Sequence, residues 1–187
     1  MFEDGWLSSA TKIPSPNFNQ RPEASEINLL VIHNISLPPF QFNGQFVEDF
    51  FLGKLNSVEH PYFNTIKELE VSSHFYIRRD GSVIQFVSTL DRAWHAGVSE
   101  FEGKSNCNDY SIGIELAGAD NIPYTRNQYH SIASLTKRIQ SEYPAITQNR
   151  IAGHSDIAPE RKTDPGLSFD WQRYFELLRH DSFTSDH

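Results

Sequence analysis

The stretch Gly153 to Gly166 (GHSDIAPERKTDPG) crowds His154, Lys162 and Asp164 into a loop punctuated by proline and glycine. Such a segment is a poor place for a core and a good place for chemistry held on a rigid scaffold. Imidazole nitrogen and carboxylate oxygen are both donors to a tetrahedral zinc ion. Lys162 stands two residues before Asp164, so in an extended loop both side chains point the same way. That sets a positive charge beside the carboxylate, where a polarised substrate oxygen would lie. The loop reads as a metal site with an electrostatic helper.

A catalytic zinc usually takes three protein donors and keeps one position open. His33, at the end of an apolar run, reads alone first as a core histidine bonded to backbone, and becomes the candidate third donor because His154 and Asp164 supply a donor pair elsewhere. A closed structural zinc would want cysteines, and Cys107 is the only one. Glu115 stands mid-strand among apolar residues, where a carboxylate is costly unless paired or used. Gly113 and Ala117 share its face and leave space beside it. As a general base it would take the proton of an activated water; as a structural residue it would pair with Arg78 or Arg92. Lys162 is either a solvated loop lysine or the stabiliser of a tetrahedral oxyanion. His74 and His95 are also capable ligands, and spacing does not separate them. His95, in the small-residue loop Ala93 to Gly97, reads as a pocket wall, and His74 as supporting structure. His60, His130, His180 and His187 read as surface or loop residues.

These residues need elements to carry them. Ile27 to Asn34 (INLLVIHN) reads as a buried central strand ending near His33. Ser73–Arg79 and Ser82–Val87 flank Asp80-Gly81, a strong two-residue hairpin signal. Tyr110–Ala117 is a further strand, with Ile112, Ile114 and Leu116 opposite Glu115. A short helix is expected over 45–52, ended by Gly53. The longest helix should run from Arg126 to Tyr143, opened by the Thr125/Gln128 capping pattern and stopped by Pro144. Arg150–Ala152 should be a short strand delivering the His154 loop, and a last helix should start near Trp171 with Asp170 as cap. The fold class is α/β: a single domain over residues 1–187, with a central mixed sheet flanked by helices. Residues 1–26 are expected as an irregular arm and 180–187 as a polar tail.

The chain has 187 residues and a net charge of −8, with no run of Lys or Arg. That excludes a nucleic-acid surface and docking on anionic membranes. The acidic N-terminus has no signal-peptide pattern, no apolar run reaches membrane length, and one cysteine allows no internal disulfide. A cytoplasmic monomer is the expectation. No phosphate-binding glycine loop, HExxH motif or Gly-x-Ser-x-Gly elbow occurs, and Cys107 has no adjacent base.

Several ordered stretches together resemble one family: Gly5-Trp6, Pro14-Ser15-Pro16, Val31 to Pro39 (VIHNISLPP) and Ile77 to Gly81 (IRRDG). Arg92 to Ser99 (RAWHAGVS), Cys107-Asn108-Asp109, Ser111 to Glu115 (SIGIE) and the His154 to Gly166 loop continue it. The chain resembles the zinc-dependent N-acetylmuramoyl-L-alanine amidases related to phage lysozyme-amidases and peptidoglycan recognition proteins, and most of all their cytoplasmic branch acting on anhydromuropeptides. The resemblance implies Zn2+ on His33, His154 and Asp164, a general base at Glu115, and an oxyanion stabiliser at Lys162. It implies a muropeptide groove lined by Asn34, Arg78 and Trp94, His95, Ala96 and Gly97. The activity implied is hydrolysis of the amide between (1,6-anhydro-)N-acetylmuramic acid and L-Ala, in cell-wall recycling. The competing class is a non-catalytic muropeptide-binding module, and a zinc endopeptidase acting within the stem peptide is a third reading.

Overall fold

The computed structural model describes residues 1–179. The polar tail expected at 180–187, with His180 and His187, lies outside the described residues. Six strands form the main sheet: β1 (Thr11–Lys12), β2 (Leu29–Ile35), β3 (Phe75–Ile77), β4 (Val83–Gln85), β5 (Ser111–Ala117) and β6 (Ile151–Gly153). Their spatial order is β6-β2-β5-β3-β4-β1. The four strands from β6 to β3 run parallel, β4 is antiparallel to β3, and β1 is parallel to β4. The sheet is therefore mixed, with helices α1 (Phe46–Phe51), α2 (Arg126–Glu142), α3 (His154–Ile157) and α4 (Trp171–Arg179) around it.

Parallel strands covered on both faces read as unbroken apolar runs, which is why Leu29 to Ile32 and Ile112 to Ala117 are buried throughout. Leu30, Ile32, Phe75, Ile77, Ile112, Ile114 and Leu116 face one way and pack with Tyr129, Ile132, Leu135 and Ile139 of α2 and Tyr174 of α4. The opposite face carries two separate apolar clusters. One holds Leu29, Val31 and Ala152 with Ala96, Tyr110 and Ile157. The other holds Tyr76 and Ala117 with Leu37, Val47, Phe50, Phe51, Phe63 and Phe86. Between them runs a polar seam, because the parallel ladder sets His33 opposite Glu115 and Glu115 opposite Tyr76.

Helix α2 begins where the capping pattern places it. Thr125 Oγ1 accepts from the Gln128 N–H at 3.1 Å and Gln128 Oε1 accepts from the Thr125 N–H at 3.0 Å. Asp170 Oδ1 likewise caps α4 through the Arg173 N–H at 2.9 Å.

Three expectations change in detail. Strand β2 continues two residues past His33 to Ile35, so His33 sits within the ladder rather than at its end. The hairpin loop is longer than two residues: Arg78 and Gly81 close a turn, and Gly81 then takes φ +88° before the Arg78 N–H bonds to the Ser82 carbonyl. A turn followed by one left-handed residue is the three-residue hairpin solution. The first 26 residues contain strand pairs rather than only irregular chain, including β1 and a pairing of Phe18–Gln20 with Asp91–Ala93. The Arg21 guanidinium pins this segment by donating to the carbonyls of Thr89, Asn108, Asp109 and Ser111.

Candidate metal centre and groove

Three donor groups from separate chain segments meet at one end of the seam. His33 comes from β2, His154 opens α3 directly after β6, and Asp164 follows in the loop beyond. His33 Nδ1 and His154 Nδ1 are 2.9 Å apart, and Asp164 Oδ2 lies 3.2 Å from the first and 3.1 Å from the second. Among the described residues this is the one cluster of three or more His, Cys, Asp or Glu side chains able to share an ion. The Ala96 carbonyl lies 3.0 Å from His154 Nε2. A carbonyl can only accept, so neutral His154 carries its proton on Nε2 and turns an Nδ1 lone pair toward the other two donors. Three such acceptors in close contact repel unless a proton or a cation lies among them.

The loop is held by its backbone. The Ser155 N–H bonds to the Asp164 carbonyl at 2.9 Å, and the Lys162 N–H to that of Ala158 at 2.9 Å. Gly166 takes φ +79°, and a Cβ there would come within 2.1 Å of Asp120 Cα, so only glycine fits.

Burial governs the charges. It pushes His33 down to about 4, against the pull of Asp164. It pushes Asp164 up, but hydrogen bonding to His154 and His33 outweighs it and holds the carboxyl well below the usual range. Glu115 is raised well above an ordinary carboxyl, first by burial, then by the nearby Asp164 charge, with Lys162 opposing. Glu115 is 8% exposed, and among the described residues its Oε2 has no hydrogen-bond partner. The salt bridges proposed for it are not made. Arg78 is paired with Glu48, and Arg92 bonds Asp109 at 2.5 Å. A buried carboxyl that is neither paired nor bonded is costly, and such groups cluster at functional sites.

A cavity of about 360 Å³ opens over this seam, with Glu115, His154, Lys162 and Asp164 at its polar end. Leu37, Phe50, Phe51, Ile66 and Leu69 form its apolar end. Lys162 makes no ion pair within 4 Å among the described residues, which leaves its ammonium available to a ligand.

The remaining candidates divide. Trp94 lines the cavity while its Nε1–H donates to Asn19 Oδ1 at 2.7 Å. Asn34 also lines it, but its amide donates to Asp120 Oδ1 at 2.8 Å and the Pro165 carbonyl at 3.1 Å, so it clamps the Asp164 loop. His95 borders the cavity with both ring nitrogens turned to protein partners, His33 and Ser111. Ala96 is buried and contributes a carbonyl, while exposed Gly97 packs against Arg161 at φ +59°. Arg78 does not line the cavity. His74 is buried beside Arg21, His130 is exposed on α2, and half-buried His60 opens a short turn. Sequence reasoning missed Asn108, Ser111, Asp120 and Arg161, which reach the site across long separations and leave no local signal.

A model of the N-acetylmuramoyl-L-alanine amidase family matches residues 23–167. The chain is 52% identical over 177 residues to the 1,6-anhydro-N-acetylmuramyl-L-alanine amidase AmpD of Haemophilus influenzae, covering 95% of this chain and 96% of that protein. It is 48% identical over 178 residues to AmpD of Escherichia coli, covering 95% and 97%. The crystal structure of a selenomethionine AmpD derivative superposes with a TM-score of 0.93 at 49% identity, over 95% of this chain and 99% of that one. The E. coli amidase AmiD, solved with anhydro-N-acetylmuramic acid-L-Ala-D-γ-Glu-L-Lys, gives 0.60 at 28% identity, over 84% and 60%.

Proposed function

The chain belongs to the N-acetylmuramoyl-L-alanine amidase family, and on that footing we propose that it is a zinc hydrolase of the amide joining 1,6-anhydro-N-acetylmuramic acid to the L-Ala of a stem peptide. The observation that carries the chemistry is the meeting of His33, His154 and Asp164 beside a buried, unpartnered Glu115 at the polar end of one cavity.

The donor set fits zinc. A tetrahedron with bonds of about 2.0–2.1 Å has donor–donor edges of roughly 3.3–3.4 Å. The three separations here, 2.9, 3.1 and 3.2 Å, need to open only slightly. Two imidazoles and one carboxylate, without a fourth protein donor among the described residues, are the catalytic pattern. When bound, the ion would supply Lewis acidity toward the scissile carbonyl and lower the pKa of water toward about 7.

The protein's own groups do the rest. Glu115 accepts the proton of the attacking water, a role suited to its place at the polar end of the cavity, where burial raises its proton affinity. It then gives that proton to the departing alanine nitrogen. Lys162, on the same cavity wall, offsets the negative charge on the tetrahedral oxygen. The apolar end formed by Phe50, Phe51 and Ile66 orients the substrate and excludes water. No helix of the described residues is long and apolar enough to cross a membrane. The likeness to the AmpD relatives supports anhydromuropeptides as the substrate, and we assign the reaction to wall recycling in the cytoplasm.

The test is a defined anhydromuropeptide with mass identification of products and metal content of the protein. Release of the intact L-Ala-peptide, abolished by chelation and restored by zinc, is expected. Cleavage within the peptide, or tight binding without release, would overturn it in favour of an endopeptidase or a recognition module.

A further inference from the structure

The two imidazoles of the centre turn their far nitrogens onto one dipeptide. His33 Nε2 lies 2.8 Å from His95 Nδ1, and His154 Nε2 lies 3.0 Å from the Ala96 carbonyl oxygen. Residues 95 and 96 thus serve two rings that are 121 positions apart in the chain. The dipeptide is itself fixed. Buried Asn108 accepts on Oδ1 from the N–H of His95 at 3.1 Å and of Ala96 at 2.8 Å. Behind the His95 ring, its Nε2 lies 3.1 Å from Ser111 Oγ.

We propose that His95-Ala96, clamped by Asn108, is the positioning element that holds both zinc-ligand imidazoles in the Nε2-protonated form with Nδ1 aimed at the metal. The inference rests on the zinc reading above. For His154 the Ala96 carbonyl leaves no other tautomer. For His33, use of Nδ1 by a cation puts the ring proton on Nε2, where His95 Nδ1 is the acceptor. His95 then keeps its own proton on Nε2 and donates it to Ser111, whose hydroxyl can accept. Each link has one donor and one acceptor, so the chain is complete in the direction a cation demands. Partners of this kind orient a ligand and raise its basicity, and removing one costs about 10–100-fold in metal affinity. His95 is thereby a positioning residue, acting through His33.

The test measures zinc affinity of the full chain by chelator competition and records nitrogen-15 spectra of the histidine rings in the zinc-loaded protein. His95→Leu should bind zinc about 10–100-fold more weakly. His95→Asn, whose Oδ1 takes the place of Nδ1, should recover most of that loss. Wild-type spectra should show both ligands protonated on Nε2, with a coupling across the hydrogen bond from His33 Nε2 to His95 Nδ1. Unchanged zinc affinity in His95→Leu, or an equal loss in His95→Asn, would overturn the inference while leaving the zinc site standing. If His95→Leu does not fold, a wild-type spectrum without that coupling overturns it alone. A wild-type chain that binds no zinc would instead sink the underlying zinc reading, and this inference with it.

Discussion

One methyl group tests whether the His95 ring is held as tightly as its contacts suggest. Gly113 lies in β5 with no backbone need for glycine. Yet a Cβ there would stand 2.5, 2.6 and 2.8 Å from Cγ, Nδ1 and Cδ2 of His95, against 3.4–4 Å for ordinary contact. The ring cannot retreat freely. Its nitrogens are bonded to His33 and Ser111, and its backbone N–H to Asn108. Gly113→Ala therefore forces overpacking, worth about 1–3 kcal/mol. It also breaks one buried hydrogen bond, worth about 1–3 kcal/mol when a partner is left unsatisfied. Relief of glycine's entropic cost returns about 0.5–1 kcal/mol. The net expectation is a loss of about 1–5 kcal/mol in urea unfolding of the metal-free chain. Zinc affinity should fall as the His33 ring loses its partner. In a double-mutant cycle, His95→Ala should relieve most of the Gly113→Ala penalty, because the methyl then has room. A Gly113→Ala chain as stable as wild type, or a penalty unchanged by His95→Ala, would refute the reasoning.

Glu115→Gln keeps the shape but cannot accept the proton, so turnover should fall about 10²–10⁴-fold with zinc content unchanged; near-normal hydrolysis removes Glu115 from the base role. Lys162→Ala should cost about 2.7–4 kcal/mol of transition-state stabilisation and also keep zinc. A loss appearing only in KM would make Lys162 a substrate anchor instead. Stability of the metal-free chain should fall in acid through His74, which burial and the neighbouring Arg21 charge lower to about 3, against the carbonyl of Asp91. The unfolded imidazole titrates near 6.5, so between about 6.5 and about 3 the unfolded chain binds the extra proton. Stability is full above that window and drops by up to about 1.4 kcal/mol per pH unit inside it. Urea unfolding from pH 7 to pH 4 should show this slope flattened in His74→Gln, and identical slopes would refute the assignment.

The groups proposed to do chemistry were legible because their types are improbable where they stand. A carboxylate mid-strand and a His-Lys-Asp loop are visible without coordinates, and the fold brings His33, His154 and Asp164 together. Their supports were not visible. Asn108 acts 13 residues from His95, and Arg161 reaches the Ala96 carbonyl across 65, through contacts that obey no periodicity. The alternative partners of Glu115 stayed open for the same reason. Arg78 finds Glu48 on α1, a helix from the other apolar cluster, and no spacing rule predicts that docking. Strand β1 escaped because two residues carry no alternation. The Asp-Gly signal located the hairpin but not its length, which depends on the backbone angle of Gly81.

The placement of the proposed base, Glu115, relative to the proposed metal ligand His33 is a property of the sheet. His33 and Glu115 are partners in a parallel ladder of seven residue pairs, from Ser111↔Leu29 to Ala117↔Ile35. A one-residue slip would send Glu115 to the face packed by α2 and α4, where no water reaches it. A two-residue slip would move it by about 6.6 Å along the strand, out of reach of any proton near the ligand triad. Either slip would also misplace Ile112, Ile114 and Leu116, all fully buried. The core's demand for one register thus also fixes Glu115 beside His33 at no separate cost. Lys162 is placed differently, on a loop whose backbone at that residue is held by one bond to Ala158. Proton transfer requires fixed hydrogen-bond geometry, while charge acts over several ångströms. The rigid ladder therefore carries the group that must be exact, and the loop carries the group whose effect survives small displacements.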